Sequence, residues 1–592
     1  MRNKLILLPL CWMIFVIHVF AVVHFNENGF EYSSLPSWQA KAYPPKDTVN
    51  IVMVKGYDSY ILDGVKSLLV PSSVMHDGKR YMVKEIGNGA LGGLTSVESI
   101  VIEEGIEVIQ NYAFCYCHRL KSVSFPTTFR KIGYTPFIGS PNMREIVVAS
   151  GNKHFDSRDN SNAIIDSDNV LLYGCNGTRI PSSVEEIERG AFEGCETIEE
   201  LIIPEGVTDI GSRAFGGCHS LKRVSLPESL TSIKDFAFEN CSSLESIYIP
   251  RNVEKIQDPL FPGCNRLSSI VVDKDNAYYL SQNNGIVRKS DSTLVAACRF
   301  TNVTADIADI KTSCFENLNI HSFRLPQSVT HLPSAVFFLC NEIDTLTVDS
   351  ANPKYTSPKG SNVILSKDGK TLVVGCRSSI MLDGIEEIGE GAFSGRYQDV
   401  LLRLPEGVKR IGKLAFYSCD KIRSAILPST LREIGWGAFM GCQNLLSVDI
   451  PEGVTDIGQD AFSGCRDLQA IHLPSSVSSI DMNAFSSCRK LTVMDIPEGI
   501  TMISMDLFRN CTELKRVHLP SSIKVIEDRA FQFCTNLTEI NIPEGIKEIG
   551  SRAFQGCVNL KQVNLPSTIE KVDDDAFEGC PCEETVKRSL SR

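Results

Sequence analysis

The chain has no surplus of positive charge and, beyond its N-terminal stretch, no long apolar run. Lysine and arginine number 59 against 71 aspartates and glutamates, a formal net charge of −12. Without spare cations to displace the counterions of a phosphate backbone, nucleic acid is not expected as a partner. After Val23 no stretch approaches the ~20 apolar residues that a spanning helix needs, so nothing there is expected to cross a membrane. Catalytic signatures are lacking too: there is no G-x-S-x-G elbow, no H-E-x-x-H helix and no Walker loop. "KDGKTL" at 367–372 places a lysine between glycine and threonine, but it lacks the upstream glycine and sits in a hairpin pattern. The ten histidines are scattered, and no C-x-x-C pair supplies half a zinc site. The expectation is no catalytic residue, no cofactor and no metal.

What is present begins at the N-terminus. "MRNKLILLPLCWMIFVIHVFAVVHF" sets Arg2 and Lys4 before an apolar run from Leu5 to Val23, the order of an export signal. The run is long for a cleaved segment, so residues 1–24 read as a signal peptide or as an uncleaved signal anchor.

From there a period takes over. Prolines at 181, 204, 227 and 250, and again at 405, 428, 451, 474, 497, 520, 543 and 566, recur every 23 residues. In each interval the apolar residues fall as in Val207, Ile210, Ala214, Phe215, Cys218, Leu221, Val224 and Leu226. Steps of three and four around Ala-Phe-x-x-Cys suit a helical turn, while Val224-Ser225-Leu226 alternates as a short strand that Pro227 ends. One such coil cannot bury its own apolar side; stacked coils share a core and align their strands in parallel. Counting worn copies gives about 18 coils between 71 and 580. Cysteines at 117, 195, 218, 241, 264, 340, 419, 442, 465, 488, 511, 534, 557 and 580 hold one position of the coil and predict an internal column of reduced thiols. Parallel side chains in stacked coils oppose disulfide geometry. Cys115 with Cys117, and Cys580 with Cys582, are C-x-C pairs outside this logic.

Three islands break the period, near 147–177, 271–300 and 347–377. Each carries an aromatic residue (Phe155; Tyr278 and Tyr279; Tyr355), then two alternating apolar runs joined as a hairpin. "MHDGKRYMV" at 75–83 reads as a shorter hairpin. Residues 25–70 lack the cassette and are expected to form an N-terminal β cap, 71–580 the repeat solenoid, and 581–592 a C-terminal tail.

The pattern P-x-x-[VIL]-x-x-I-x-x-x-A-F-x-x-C-x-x-L-x-x-[IV]-x-[IL], as in "PEGVTDIGQDAFSGCRDLQAIHL" (451–473), resembles the BspA-like class of leucine-rich repeat. The resemblance implies a right-handed α/β solenoid, mostly parallel β with short helical turns, on an exported or cell-surface protein. It implies adhesion to host matrix or to other cells, and no catalytic residue.

The informative surface is then the outward side of the strands, where residues vary while the inward columns hold. The second residues before the C-terminal prolines are Asp449, His472, Asp495, His518, Asn541 and Asn564; the fourth are Ser447, Ala470, Val493, Arg516, Glu539 and Gln562. The candidate partner-binding set is Ser447, Asp449, His472, Asp495, Arg516, His518, Glu539, Asn541, Gln562 and Asn564, on eight cassettes expected in unbroken register. The partner expected is an extracellular protein or a glycan. A surface-layer spacer without a specific ligand is the alternative, and a surface hydrolase the third reading. The prolines from 405 to 566 open turns that alternate "PEG" with "PSS" or "PST", which suggests growth by duplication of 46-residue pairs.

Overall fold

A computed structural model describes residues 24–35, 51–334 and 336–590. The segment read as a signal peptide or signal anchor lies, up to Val23, outside the described residues. The chain divides into two compact units, Met1–Arg179 and Ile180–Arg592, each taken here by itself.

The coil from Pro204 to Leu226 shows how the cassette folds. After the proline the chain runs through buried Val207 into a two-residue strand, Asp209–Ile210. Gly211 follows because its backbone lies against the preceding coil: a Cβ there would stand 2.5 Å from the Arg189 nitrogen. Arg213 (φ 55°) and Gly217 (φ 72°) then bracket the Ala214-Phe215 turn in the left-handed region. The chain returns through Cys218 and Leu221 to a second strand, Arg223–Ser225.

Each coil therefore contributes two strands, where the sequence pattern suggests one. Asp209–Ile210 pairs in parallel with Glu186–Ile187 and Ser232–Ile233, forming a narrow ladder. Glu200–Ile202 pairs with Arg223–Ser225 in a separate, wider one. The expected helical turn is also corrected. The amides of Arg213, Phe215 and Gly217 donate to carbonyls of the next coil (Asp235, Ala237 and Glu239, 2.8–3.2 Å), while those of Ala214, Gly216 and Cys218 donate three residues back. An α-helix would need every amide for its own i−4 carbonyl; here every second one is engaged between coils. The fold is a β-solenoid of about 21 turns with almost no helix. Beside the short helices Ser59–Leu62 and Glu583–Leu590 there is one three-residue 3-10 turn, Arg158–Asn160, among the described residues.

The core of the second unit is columnar. Phe393, Phe416, Phe439, Phe462, Phe485, Phe508, Phe531, Phe554 and Phe577 stack with ring centroids 4.9–5.8 Å apart. Each buried ring contributes about 1.5–3 kcal/mol from apolar area, with roughly 0.5–1.5 kcal/mol more per stacked pair. Val224, Val448 and Val517 are buried at one shared coil position, as expected.

The islands are the same insert three times, each with three strands where a hairpin is expected. The third strand is the aromatic one, as in Tyr279–Gln282 against Gly285–Arg288 against Thr293–Ala296. The last strand then joins the narrow ladder, Leu294 opposite Ile310 and Leu372 opposite Ile388. Each island thus completes a coil, which accounts for the larger count of turns. An asparagine fixes each entry, half-buried at Asn152 and buried at Asn276 and Asn352. The Asn152, Asn276 and Asn352 amides donate to two carbonyls of the preceding coil, and their oxygens accept two amides of the aromatic strand.

In the first unit Phe30–Ser34 pairs antiparallel with His24–Glu27 and with Ile51–Tyr57, which in turn pairs parallel with Lys79–Ile86. The hairpin read at 75–83 is present, Val74 opposite Tyr81.

Candidate partner-binding surface

On the C-terminal coils, alternation along each wide-ladder strand settles which side chains face out. Val448, Met494, Val517 and Ile540 are buried; Ser447, Asp449, His472, Asp495, Arg516, His518 and Glu539 flank them and are exposed. These seven lie on strands Ser447–Asp449, Ala470–His472, Val493–Asp495, Arg516–His518 and Glu539–Ile540. Asn541, Gln562 and Asn564 are exposed as well but stand outside any strand. Register brings Asp449 opposite His472, Asp495 opposite His518, and Arg516 opposite Glu539. The His518 Nδ1 lies 2.8 Å from Asp495 Oδ1, an exposed pair worth at most about 1 kcal/mol.

Strand pairing is interrupted on this surface, although the 23-residue register of turns, rings and thiols runs on through it. The wide ladder ends at Ala470–His472 and restarts at Val493–Asp495; the narrow one ends at Ser479–Ile480 and restarts at Met502–Ile503. At this seam Asp481 and Ser504 stand where glycine occupies other coils. The Gly458 amide donates to Ile434 O, whereas here the Ser504 hydroxyl takes that role toward Ile480 O (2.6 Å). The widest ring spacings of the phenylalanine stack, 5.7 and 5.8 Å, fall beside it.

The cysteine column offers no reactive group. No disulfide joins any two of the twenty described cysteines, the C-x-C pairs included. The ladder thiols donate to the phenylalanine carbonyl of the preceding coil, as Cys442 does to Phe416 O (3.1 Å) and Cys488 to Phe462 O (3.2 Å). Burial pushes the Cys218, Cys340, Cys419 and Cys511 thiols up to about 12, far from the thiolate form that a nucleophile or metal ligand requires. His118 and His219, which follow ladder cysteines, are exposed turn residues. Among the described residues no three His, Cys, Asp or Glu side chains converge as a metal site, and no helix is long and apolar enough to cross a membrane.

The island aromatics are mostly structural. Tyr279 and Tyr355 accept backbone amides of Ile256 and Leu332 on their hydroxyls (3.0 and 2.9 Å), and Phe155 packs on Phe129. Tyr278 is the exposed one of the four.

In earlier coils several outward positions are apolar, Leu69, Val101 and Val147 in the first unit and Ile202, Tyr248 and Val271 in the second, while Ser124, Ser225 and Arg324 hold the same place in others. Reading the second residue before each proline finds Leu69, Ile202 and Tyr248; Val101, Val147 and Val271 hold the same place before Glu103, Ala149 and Asp273, where the proline is replaced.

Two parallel ladders, a phenylalanine stack and a thiol column repeated every 23 residues define a repeat solenoid. The model of the BspA type leucine rich repeat region matches residues 80–163, 170–283, 293–357, 375–492 and 455–584, in six copies. The chain belongs to that family. No curated protein matches it. Among solved structures it is similar to a leucine-rich cell surface protein of Faecalibacterium prausnitzii (22% identity over 88% of this chain and 94% of that one, TM-score 0.27). Another is a leucine-rich repeat protein of Bacteroides ovatus (22%, 92% and 95%, 0.26). The leucine-rich repeat protein of T. pallidum is 29% identical over 40% of this chain and 95% of its own, with a TM-score of 0.29.

Proposed function

We propose that the chain is an exported or cell-surface binding protein that adheres to an extracellular protein or glycan through the outward side of its wide ladder. The observation that carries this reading is the contrast between columns. Val448, Met494, Val517 and Ile540 keep one buried, apolar character, while the exposed residues beside them change charge and size from coil to coil. A scaffold with a freely varied surface suits recognition. The C-terminal patch holds Ser447, Asp449, His472, Asp495, Arg516, His518, Glu539, Asn541, Gln562 and Asn564. Its polarity and lack of aromatic anchors favour moderate affinity spread over many contacts. A surface that presents side chains in rows along the stack favours binding over catalysis.

The test is capture from extracellular-matrix and neighbouring-cell extracts by the exported chain and by a variant with Asp449, His472, Asp495 and His518 changed to alanine. The variant is expected to lose the captured partner. Equal capture by both removes the C-terminal assignment, and no specific capture by the parent chain favours the spacer reading.

A further inference from the structure

Surface cations of this solenoid commonly face a carboxylate one coil away. Lys222 meets Glu199 (2.8 Å), Lys409 meets Glu386 (2.8 Å), Arg529 meets Asp506 (2.9 Å) and Arg552 meets Asp575 (3.2 Å), each pair 23 residues apart. Arg466 and Arg489 break that habit. They too are 23 residues apart and exposed, each directly after a ladder cysteine, and among the described residues neither forms an ion pair. The Lys490 amide donates to Arg466 O (3.1 Å) and the Glu513 amide to Arg489 O (3.0 Å), so this row stays hydrogen-bonded through the seam where the strands part. The two arginines are therefore held side by side at a backbone spacing of ~4.8 Å, and like charges so placed repel.

The carboxylate that could relieve them is engaged elsewhere: Asp467 lies 2.8 Å from Lys490 Nζ, and Glu513 acts on the same lysine. On the next coil Lys515 and Arg516 are exposed and also form no ion pair among the described residues. Lys515 stands between Thr492 and Thr538 of the register, and Arg516 between Val493 and Glu539. Over 466–470, 489–493 and 512–516, five cations stand against two carboxylates, on a chain whose net charge is −12. A local rule of the stack is thus broken in one place, where a local excess of positive charge is left for something outside the chain to neutralise.

Guanidinium groups take tetrahedral oxyanions through paired, charge-assisted hydrogen bonds, so a ligand with repeated sulfate groups fits a row of them. Around the arginines stand Gln443, Gln469, Thr492 and Thr512, uncharged hydrogen-bonding side chains suited to sugar hydroxyls. A nucleic-acid strand would call for exposed rings on which bases stack; the rings of these coils, Phe462, Phe485 and Phe508, are buried.

We propose that Arg466 and Arg489, with Lys515 and Arg516 beyond them, bind a sulfated glycan whose sulfate groups bridge cations of successive coils. The proposal rests on the binding role argued above and names the class of its ligand, on a row that runs beside the wide-ladder strands.

The full exported chain is applied to immobilised heparin, chemically desulfated heparin, polyglutamate and oligothymidylate. Retention is expected on heparin alone and should fall as salt is added. Changing Arg466→Gln together with Arg489→Gln is expected to weaken it at least about tenfold. Heparin should also raise the thermal transition of the parent and leave that of this double variant unmoved. Lys222→Gln with Lys409→Gln removes the same charge from cations that already have partners, and should retain heparin in full. No retention of the parent on heparin, equal retention on any of the other three supports, or equal weakening by the two double variants would each overturn the proposal. The broader reading is judged apart. A parent chain that captures an extract partner but ignores heparin leaves the binding role standing and removes this row; heparin held through the arginines, with the Asp449, His472, Asp495 and His518 variant capturing as the parent does, removes the strand-side assignment and keeps it.

Discussion

At the scale of the residue, the column of thiols is a column of hydrogen-bond donors. Ser140 demonstrates what the position requires: standing where other coils have cysteine, its hydroxyl donates to Phe114 O and accepts the Cys117 amide, both at 3.0 Å. Cys488→Ser is therefore expected to cost about 1 kcal/mol and Cys488→Ala about 1–3 kcal/mol, since alanine leaves Phe462 O without its donor; urea denaturation of the two variants checks the order. The raised thiol pKa values also set an alkaline limit. A thiol near 8.5 when unfolded and about 12 when folded contributes its stability in full below pH 8.5. It loses about 1.4 kcal/mol per pH unit above that, until the folded form also ionises. The urea midpoint should hold from pH 7 to 8 and fall steeply between 9 and 11. A variant with Cys218, Cys419 and Cys511 changed to serine should show a visibly shallower fall; an unchanged slope would refute this account.

At the scale of the element, the alternation of "PEG" with "PSS" turns out to be a clamp. The glutamate of one coil accepts the backbone amide of the serine 23 residues on, as Glu452 does from Ser475 (3.4 Å) and Glu544 from Ser567 (3.1 Å). The second serine or threonine then bridges two backbone groups of the coil before it. Ser476 accepts from the Gly453 amide (2.9 Å) and donates to Val454 O (2.8 Å); Ser522 and Thr568 repeat this at Gly499 and Gly545. Coils are thus tied in pairs; the narrow-ladder break between Ser479–Ile480 and Met502–Ile503 falls between two pairs, while the wide-ladder break between Ala470–His472 and Val493–Asp495 falls inside one. Backbone opening should begin where ladder bonds are fewest. Amide exchange at Ile471 and Met494 is expected to run at least about tenfold faster than at Val448 and Val517, and uniform protection along the block would contradict it.

At the scale of the whole molecule, stability in a stack is a sum of nearest-neighbour terms, so the unit of deletion matters. Removing residues 451–496 takes out one clamped pair and leaves a "PST" coil followed by a "PEG" coil, a junction already present in the chain. Removing 474–496 alone leaves two "PEG" coils in contact, with the Gly453 amide and Glu452 carboxylate deprived of their partners. The first variant should keep a cooperative transition close to the parent's, while the second should unfold at lower urea by about 1–3 kcal/mol. Equal transitions would mean that the pairing carries no energy.

Much of this was readable in one dimension. The 23-residue interval, the inward columns and the threefold island are periodic patterns, and side-chain alternation on a strand is a local property, so Asp449, His472, Asp495 and His518 could be placed outward without coordinates. The second ladder was not, because strands such as Asp456–Ile457 are too short to show any alternation. The helical turn was misread because a spacing of three and four residues fits any turn that closes on its own carbonyls. What folding alone decided are the places where successive coils fail to pair: the seam beside Met494 and the break between Arg223–Ser225 and Ser246–Ile249. Pairing depends on small shifts accumulated between backbones 23 residues apart, and a repeat pattern records which side chains face inward without recording how closely the next coil comes to rest.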